Sequence, residues 1–176
     1  IGTVWLRARS SERRVRELGL AAVPSDGWGL AVGAGLQIAV ALAMYPIVTR
    51  FFEDEVPVQD VVESAGQALT STDRLVVALA AGLLVPLAEE LVFRGVLLRA
   101  LRDRFSDRWA IVVSALVFSA FHLLDPGAYL ALPALFLLGL VMAAQVVRTG
   151  RIARAVFTHV GFNLISVIAL FVVTIE

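Results

Sequence analysis

The sequence predicts an all-α, polytopic transmembrane helix bundle with about five spans. Three observations carry that prediction. Of 176 residues, 59% are hydrophobic and only 17% charged, with a mean hydropathy of +0.85. Soluble domains run about 45–50% apolar and about 25% charged. Apolar stretches of spanning length recur along the chain, with no strand alternation, Asn-Gly hairpin or internal repeat competing with them. Basic and acidic residues alternate between successive connections, as they must if those connections lie on opposite sides of a bilayer. The same composition excludes disorder, and a formal net charge of zero offers nothing to nucleic acid. With no cysteine, disulfides, thiolate nucleophiles and Cys-based metal sites are excluded together.

Residues 1–26 read as a basic juxtamembrane arm on the cytoplasmic side, carrying Arg7, Arg9, Arg13, Arg14 and Arg16. No apolar run follows that would make it a signal peptide, and a short helix is expected around Ser11–Leu20. The chain opens on Ile1 rather than Met, so upstream spans are expected. The membrane domain occupies 27–176, with its motif-bearing core over 75–171.

The first span runs Trp28–Val48, close to the length a ~30 Å hydrocarbon core requires. The acidic connection 49–74 follows on the outer side. It reads as a solvated loop, with a short amphipathic helix near Val58–Leu69 as the alternative. The second span, Leu75–Leu101, is interrupted by Glu89, Glu90 and Arg94. The third, Trp109–Leu124, holds His122 and is short, at about 24 Å for a 1.5 Å rise. The fourth covers Ala128–Val147. The fifth, Ile152–Ile175, carries His159 and Asn163. Arg99, Arg102, Arg104 and Arg108 in one turn, and Arg148, Arg151 and Arg154 in another, fall on the inner side. Asp125 alone marks the outer turn between the third and fourth spans. All basic residues are Arg, which suits a bacterial plasma membrane.

The chemistry begins where polar residues interrupt these spans. Each charge at the bilayer centre costs roughly 2.5–3.5 kcal/mol on insertion scales, so such residues face the bundle interior and serve a purpose. Glu90 and Arg94 are four apart on one helix face and can pair. Glu89 points about 100° away from Glu90 and is left over, which is where a general base would sit. His159 and Asn163 are again four apart, a pair of hydrogen-bond donors suited to a developing oxyanion. Phe118 and His122 share a face by the same spacing, so His122 can approach Glu89 with Phe118 packed beside it. Pro86, three residues before Glu89, can kink the helix and open a cavity. Depths counted from the Arg-rich ends place the group within the membrane, leaning toward the inner face if either way. Glu89, His122 and His159 would also make an acceptable zinc set with an open fourth position. Ser119 is a weak candidate nucleophile.

Three motifs stand in order on successive spans: Glu89-Glu90-Leu91-Val92-Phe93-Arg94, Phe118-Ser119-Ala120-Phe121-His122, and His159-Val160-Gly161-Phe162-Asn163. They resemble the Glu-Glu-x-x-x-Arg, Phe-x-x-x-His and His-x-x-x-Asn motifs of the CPBP family, the CAAX prenyl proteases and bacteriocin-processing enzymes also called the Abi family. The resemblance covers roughly residues 75–171. It implies an intramembrane endopeptidase in which Glu89 and His122 activate water and His159 and Asn163 stabilise the oxyanion. Glu90 and Arg94, with Phe118, would support the site. The family was long classed as metalloproteases, and a metal-free glutamate mechanism is the better-supported picture. Its members commonly have more spans than this chain. The expected partners are the bilayer and a membrane-associated or lipidated peptide. The competing readings are a proton- or ion-coupled transporter and a non-catalytic binding or immunity protein of the same fold.

Overall fold

The computed structural model describes residues 19–51 and 71–173. The possible helix near Val58–Leu69, and nearly all of the one around Ser11–Leu20, fall outside them. All regular structure among the described residues is helical. A 3-10 turn, Pro24–Gly27, leads into α1, Trp28–Phe51. Helix α2 is continuous but changes pitch. It runs α-helical over Ser71–Leu79, π-helical over Ala80–Leu84 and α-helical over Val85–Glu90. It is then π-helical over Leu91–Leu97 and ends as α-helix over Leu98–Arg102. Helix α3 is Asp107–Phe121, α4 is Leu132–Thr149 and α5 is Ala153–Val173. Among the described residues four helices are long and apolar enough to cross a membrane, and α5 adds a shorter apolar stretch, Ala153–Ile168.

The third and fourth spans meet at one turn, as expected, with Asp107–Leu124 before it and Gly127–Thr149 after it. The α-helix of the third ends at Phe121, and His122 opens a 3-10 turn, His122–Leu124. A second 3-10 turn, Pro126–Ala131, occupies the expected start of the fourth span. Its first residues are ordered by the Asp125 carboxylate, which accepts from Gly127 N–H at 2.9 Å. At the other end of the bundle α4 stops at Gly150. That residue takes the left-handed conformation (φ 69°) with its N–H on Val146 O at 2.8 Å, a backbone geometry glycine adopts without the penalty of a Cβ.

Small residues set the helix separations, as they must where lipid supplies no hydrophobic drive for helix association. Gly29 and Gly33 lie one turn apart on α1 and face α5, where Gly161 faces back. A Cβ at Gly33 would run into the Thr158 carbonyl, and one at Gly161 into the Leu30 carbonyl. Between α3 and α4, a Cβ on Gly139 would lie 3.1 Å from that of Ala115. The buried core between the helices includes Leu98, Phe118, Leu138, Met142 and Ala155. Large apolar side chains such as Trp28, Leu42 and Leu124 point outward instead, the reverse of a soluble protein and the pattern a bilayer demands.

At the end of the bundle bearing the Arg-rich turns, the chain before α1 is docked. Ile152 N–H donates to Gly19 O at 2.7 Å. Asp26 is fully buried. It accepts two hydrogen bonds from Arg151, at 2.9 and 3.0 Å, and lies 3.3 Å from Arg154 Nε. The Asp26 carboxylate holds the Arg151 guanidinium above its already high ordinary range. The last residues of the arm are therefore packed against the α4–α5 turn.

Candidate active site

Two carboxylates and two imidazoles, drawn from α2, α5 and the end of α3, meet inside the bundle. Glu90 and Arg94 are both fully buried, with Arg94 Nη1 donating to Glu90 Oε1 at 2.9 Å. Arg94 Nη2 reaches the Gly139 carbonyl on α4 at 3.3 Å, and its guanidinium lies 4.4 Å from the Phe118 ring centroid. The residue that sequence spacing pairs with Glu90 thus also ties α2 to α3 and α4. Glu90 Oε1 has a second partner, His159 Nδ1, at 3.2 Å.

Glu89 stands between the two histidines. His122 Nε2 is 3.9 Å from Glu89 Oε1 and His159 Nε2 is 3.6 Å from Glu89 Oε2. The partners of the other ring nitrogens decide the proton positions. His122 Nδ1 lies 2.9 Å from the Phe118 carbonyl, which can only accept, so Nδ1 carries hydrogen. Next to the Glu90 carboxylate, His159 Nδ1 does the same. Both imidazoles consequently present Nε2 to Glu89. The Phe118 ring packs edge-on against both, at centroid distances of 4.9 Å to His122 and 5.6 Å to His159. It restrains the rings without competing for their polar atoms.

Asn163 follows His159 by one turn of α5, and its Nδ2 donates to the Ala81 carbonyl on α2 at 3.0 Å. Ser119 is occupied elsewhere, donating to Leu132 O at 2.9 Å.

Glu89, His122, His159 and Asn163 all line a cavity of about 540 Å³. Its remaining wall is mostly apolar, including Val40 and Met44 of α1, Val77 and Val85 of α2, and Leu135 of α4. Gln37 and Ser166 form a polar pair on this wall, joined at 3.1 Å. Asp125 and Gly127 also line the cavity. The cavity therefore extends toward the end of the bundle opposite the Arg-rich turns. His122 opens the 3-10 turn that follows α3, so its imidazole sits at the Asp125 end.

The donor set bears on zinc. Fixed Nδ1 partners are what metal-binding histidines need. Yet among the described residues no three His, Cys, Asp or Glu side chains converge closely enough to hold a metal ion. The reaction proposed below uses the side chains alone, and chelation is what tests zinc at Glu89, His122 and His159.

Three interactions lie beyond what spacing could reveal: Arg94 with Gly139, Asn163 with Ala81, and Asp26 with Arg151. Each joins residues far apart in sequence, two of them through backbone oxygens that carry no residue-type signal. Only Pro86 hints at one of them, because a proline leaves a carbonyl upstream without a donor.

A protein of Escherichia coli described as an uncharacterized 24.3 kDa protein is 30% identical over 124 residues, which is 69% of this chain and 50% of that protein. The chain thus spans about half the length of that curated relative. No solved structure matches. The type II CAAX prenyl endopeptidase Rce1-like family matches residues 71–165, an interval that contains every residue of the cluster from Glu89 to Asn163. By that match the chain belongs to the Rce1-like type II CAAX prenyl endopeptidase family.

Proposed function

We propose that this chain carries the catalytic centre of an intramembrane endopeptidase that cleaves membrane-associated or C-terminal peptides. One observation carries the reading: a carboxylate flanked by two imidazoles, each with its Nδ1 engaged elsewhere and its Nε2 turned inward, on the wall of a largely apolar cavity. A peptide bond has to reach such a group with water beside it and little bulk solvent around it.

In the proposed reaction a water molecule hydrogen-bonds to Glu89 and to His122 Nε2. Glu89 takes one proton as the water oxygen attacks the peptide carbonyl carbon. The carbonyl oxygen becomes an oxyanion, which His159 in its doubly protonated form stabilises through Nε2–H, with Glu90 holding the Nδ1 proton. The tetrahedral intermediate collapses, the C–N bond breaks, and Glu89 returns its proton to the leaving amine. Glu90 and Arg94 touch no substrate. They hold His159 and the helix interface in register.

The membrane setting follows from the apolar helices, with the Arg-rich turns and arm proposed to be cytoplasmic, in a bacterial plasma membrane. The test of function is cleavage of membrane-bound peptides by purified full chain, before and after exhaustive chelation. Cleavage that survives chelation and is lost in Glu89→Gln supports the reading. Cleavage that disappears with chelation and returns with added zinc overturns the metal-free mechanism. Undiminished cleavage by Glu89→Gln overturns the role of Glu89.

A further inference from the structure

Pro86 on α2 and Asn163 on α5 meet at a single backbone oxygen. In the π-helical turn Ala80–Leu84, Val85 N–H donates to Ala80 O, five residues back. In that register the next donor would be residue 86 and its acceptor Ala81 O. Residue 86 is proline, which has no N–H. Ala81 O would then be left bare in a setting where lipid and apolar side chains offer no donor. Asn163 Nδ2 fills that place at 3.0 Å. A carbonyl oxygen only accepts, so the NH2 end of the carboxamide must face it.

We propose that Asn163 is a positioning residue: it supplies, from across the helix interface, the hydrogen bond that Pro86 cannot make, and thereby holds open the wide turn preceding Glu89. π-Turns of this kind carry one extra residue and recur at functional sites. If the turn tightened to ordinary α-helix, the two ends of α2 would rotate by about 100° relative to each other. Glu89 and the cavity residues Val77 and Ala81 could not then all keep their places. This differs from an oxyanion role for Asn163, in which the identity of residue 86 has no bearing on what Asn163 does.

The difference is measurable in the full chain with Asn163→Ala, Pro86→Ala and the double variant. Asn163→Ala is expected to lower the melting temperature by roughly 5 °C in the otherwise native chain. It should lower it far less in the Pro86→Ala background, where residue 86 has an N–H of its own. Should Asn163→Ala alone yield no folded protein, its recovery by the added Pro86→Ala supports the proposal and continued failure overturns it. An equal melting-temperature loss in both backgrounds overturns it as well. The cleavage arm rests on the endopeptidase reading: the double variant should regain about tenfold or more of the activity lost in Asn163→Ala. The melting-temperature arm needs no activity, so failure there is distinct from failure of the endopeptidase reading, which Glu89→Gln tests.

Discussion

Glu90 Oε1 receives both the Arg94 guanidinium and His159 Nδ1, so one atom serves the interhelical clamp and the imidazole to which the oxyanion role is proposed. The two carboxylates therefore respond differently to substitution. Glu89→Gln keeps shape and removes the base, and is expected to cut cleavage about 10²–10⁴-fold with the melting temperature unchanged within error. Arg94→Ala leaves Glu90 buried and uncompensated, which in soluble proteins costs about 3–5 kcal/mol. It is expected to show first as a loss of folded protein in a denaturation series. The i, i+4 spacing made Glu90 and Arg94 legible as a pair, and it separated Glu89 from them. It could not show the carbonyls of Gly139 and Ala81 as partners. Every residue carries such an oxygen, and only the fold decides which ones lose their helical donor.

At the level of helices, α2 departs furthest from expectation. Pro86 pointed to a local disturbance of the helix, and a π-helical turn stands before it and another after Glu90. The helix accommodates the missing N–H at a change of pitch, a place where helices also bend. The α1–α5 contact is simpler. Gly29 and Gly33 form a small-xxx-small pair readable in the sequence, but such pairs are common in membrane helices, and only the structure identifies α5 as the surface they meet. Gly33→Leu should drive these helices apart, because the space beyond its Cα is occupied by the Thr158 backbone. The expected result is a lower melting temperature and loss of cleavage together, since α5 carries His159. A Gly35→Leu control has nothing within 4 Å to collide with and should behave like the native chain. The third span ends at Leu124, as hydropathy predicts; what hydropathy cannot register is the tightening from α-helix to 3-10 helix at His122.

For the molecule as a whole, charge alternation agrees with the described turns: the Asp26 segment and the Arg151 turn meet at one end of the bundle, and Asp125 lies at the other. Asp26 itself looked like one acid in a basic arm, and its burial depends on an arginine 125 positions away. Asp26→Ala should free the arm from the α4–α5 turn and destabilise the protein by about 1–3 kcal/mol, seen as faster proteolysis ahead of α1. The lack of cysteine makes sidedness easy to measure. Single cysteines at Arg104 and Leu124, treated with an impermeant thiol reagent on whole cells, should label at Leu124 only. Labelling at Arg104 alone would reverse the orientation. The shared oxygen of Glu90 has one last consequence, for heating. The bond that locks α2 to its neighbours also orients an imidazole of the proposed reaction centre, so the bundle has no way to loosen there and keep working. Activity should vanish at the temperature where the protein melts, without an intermediate range in which it is folded yet silent.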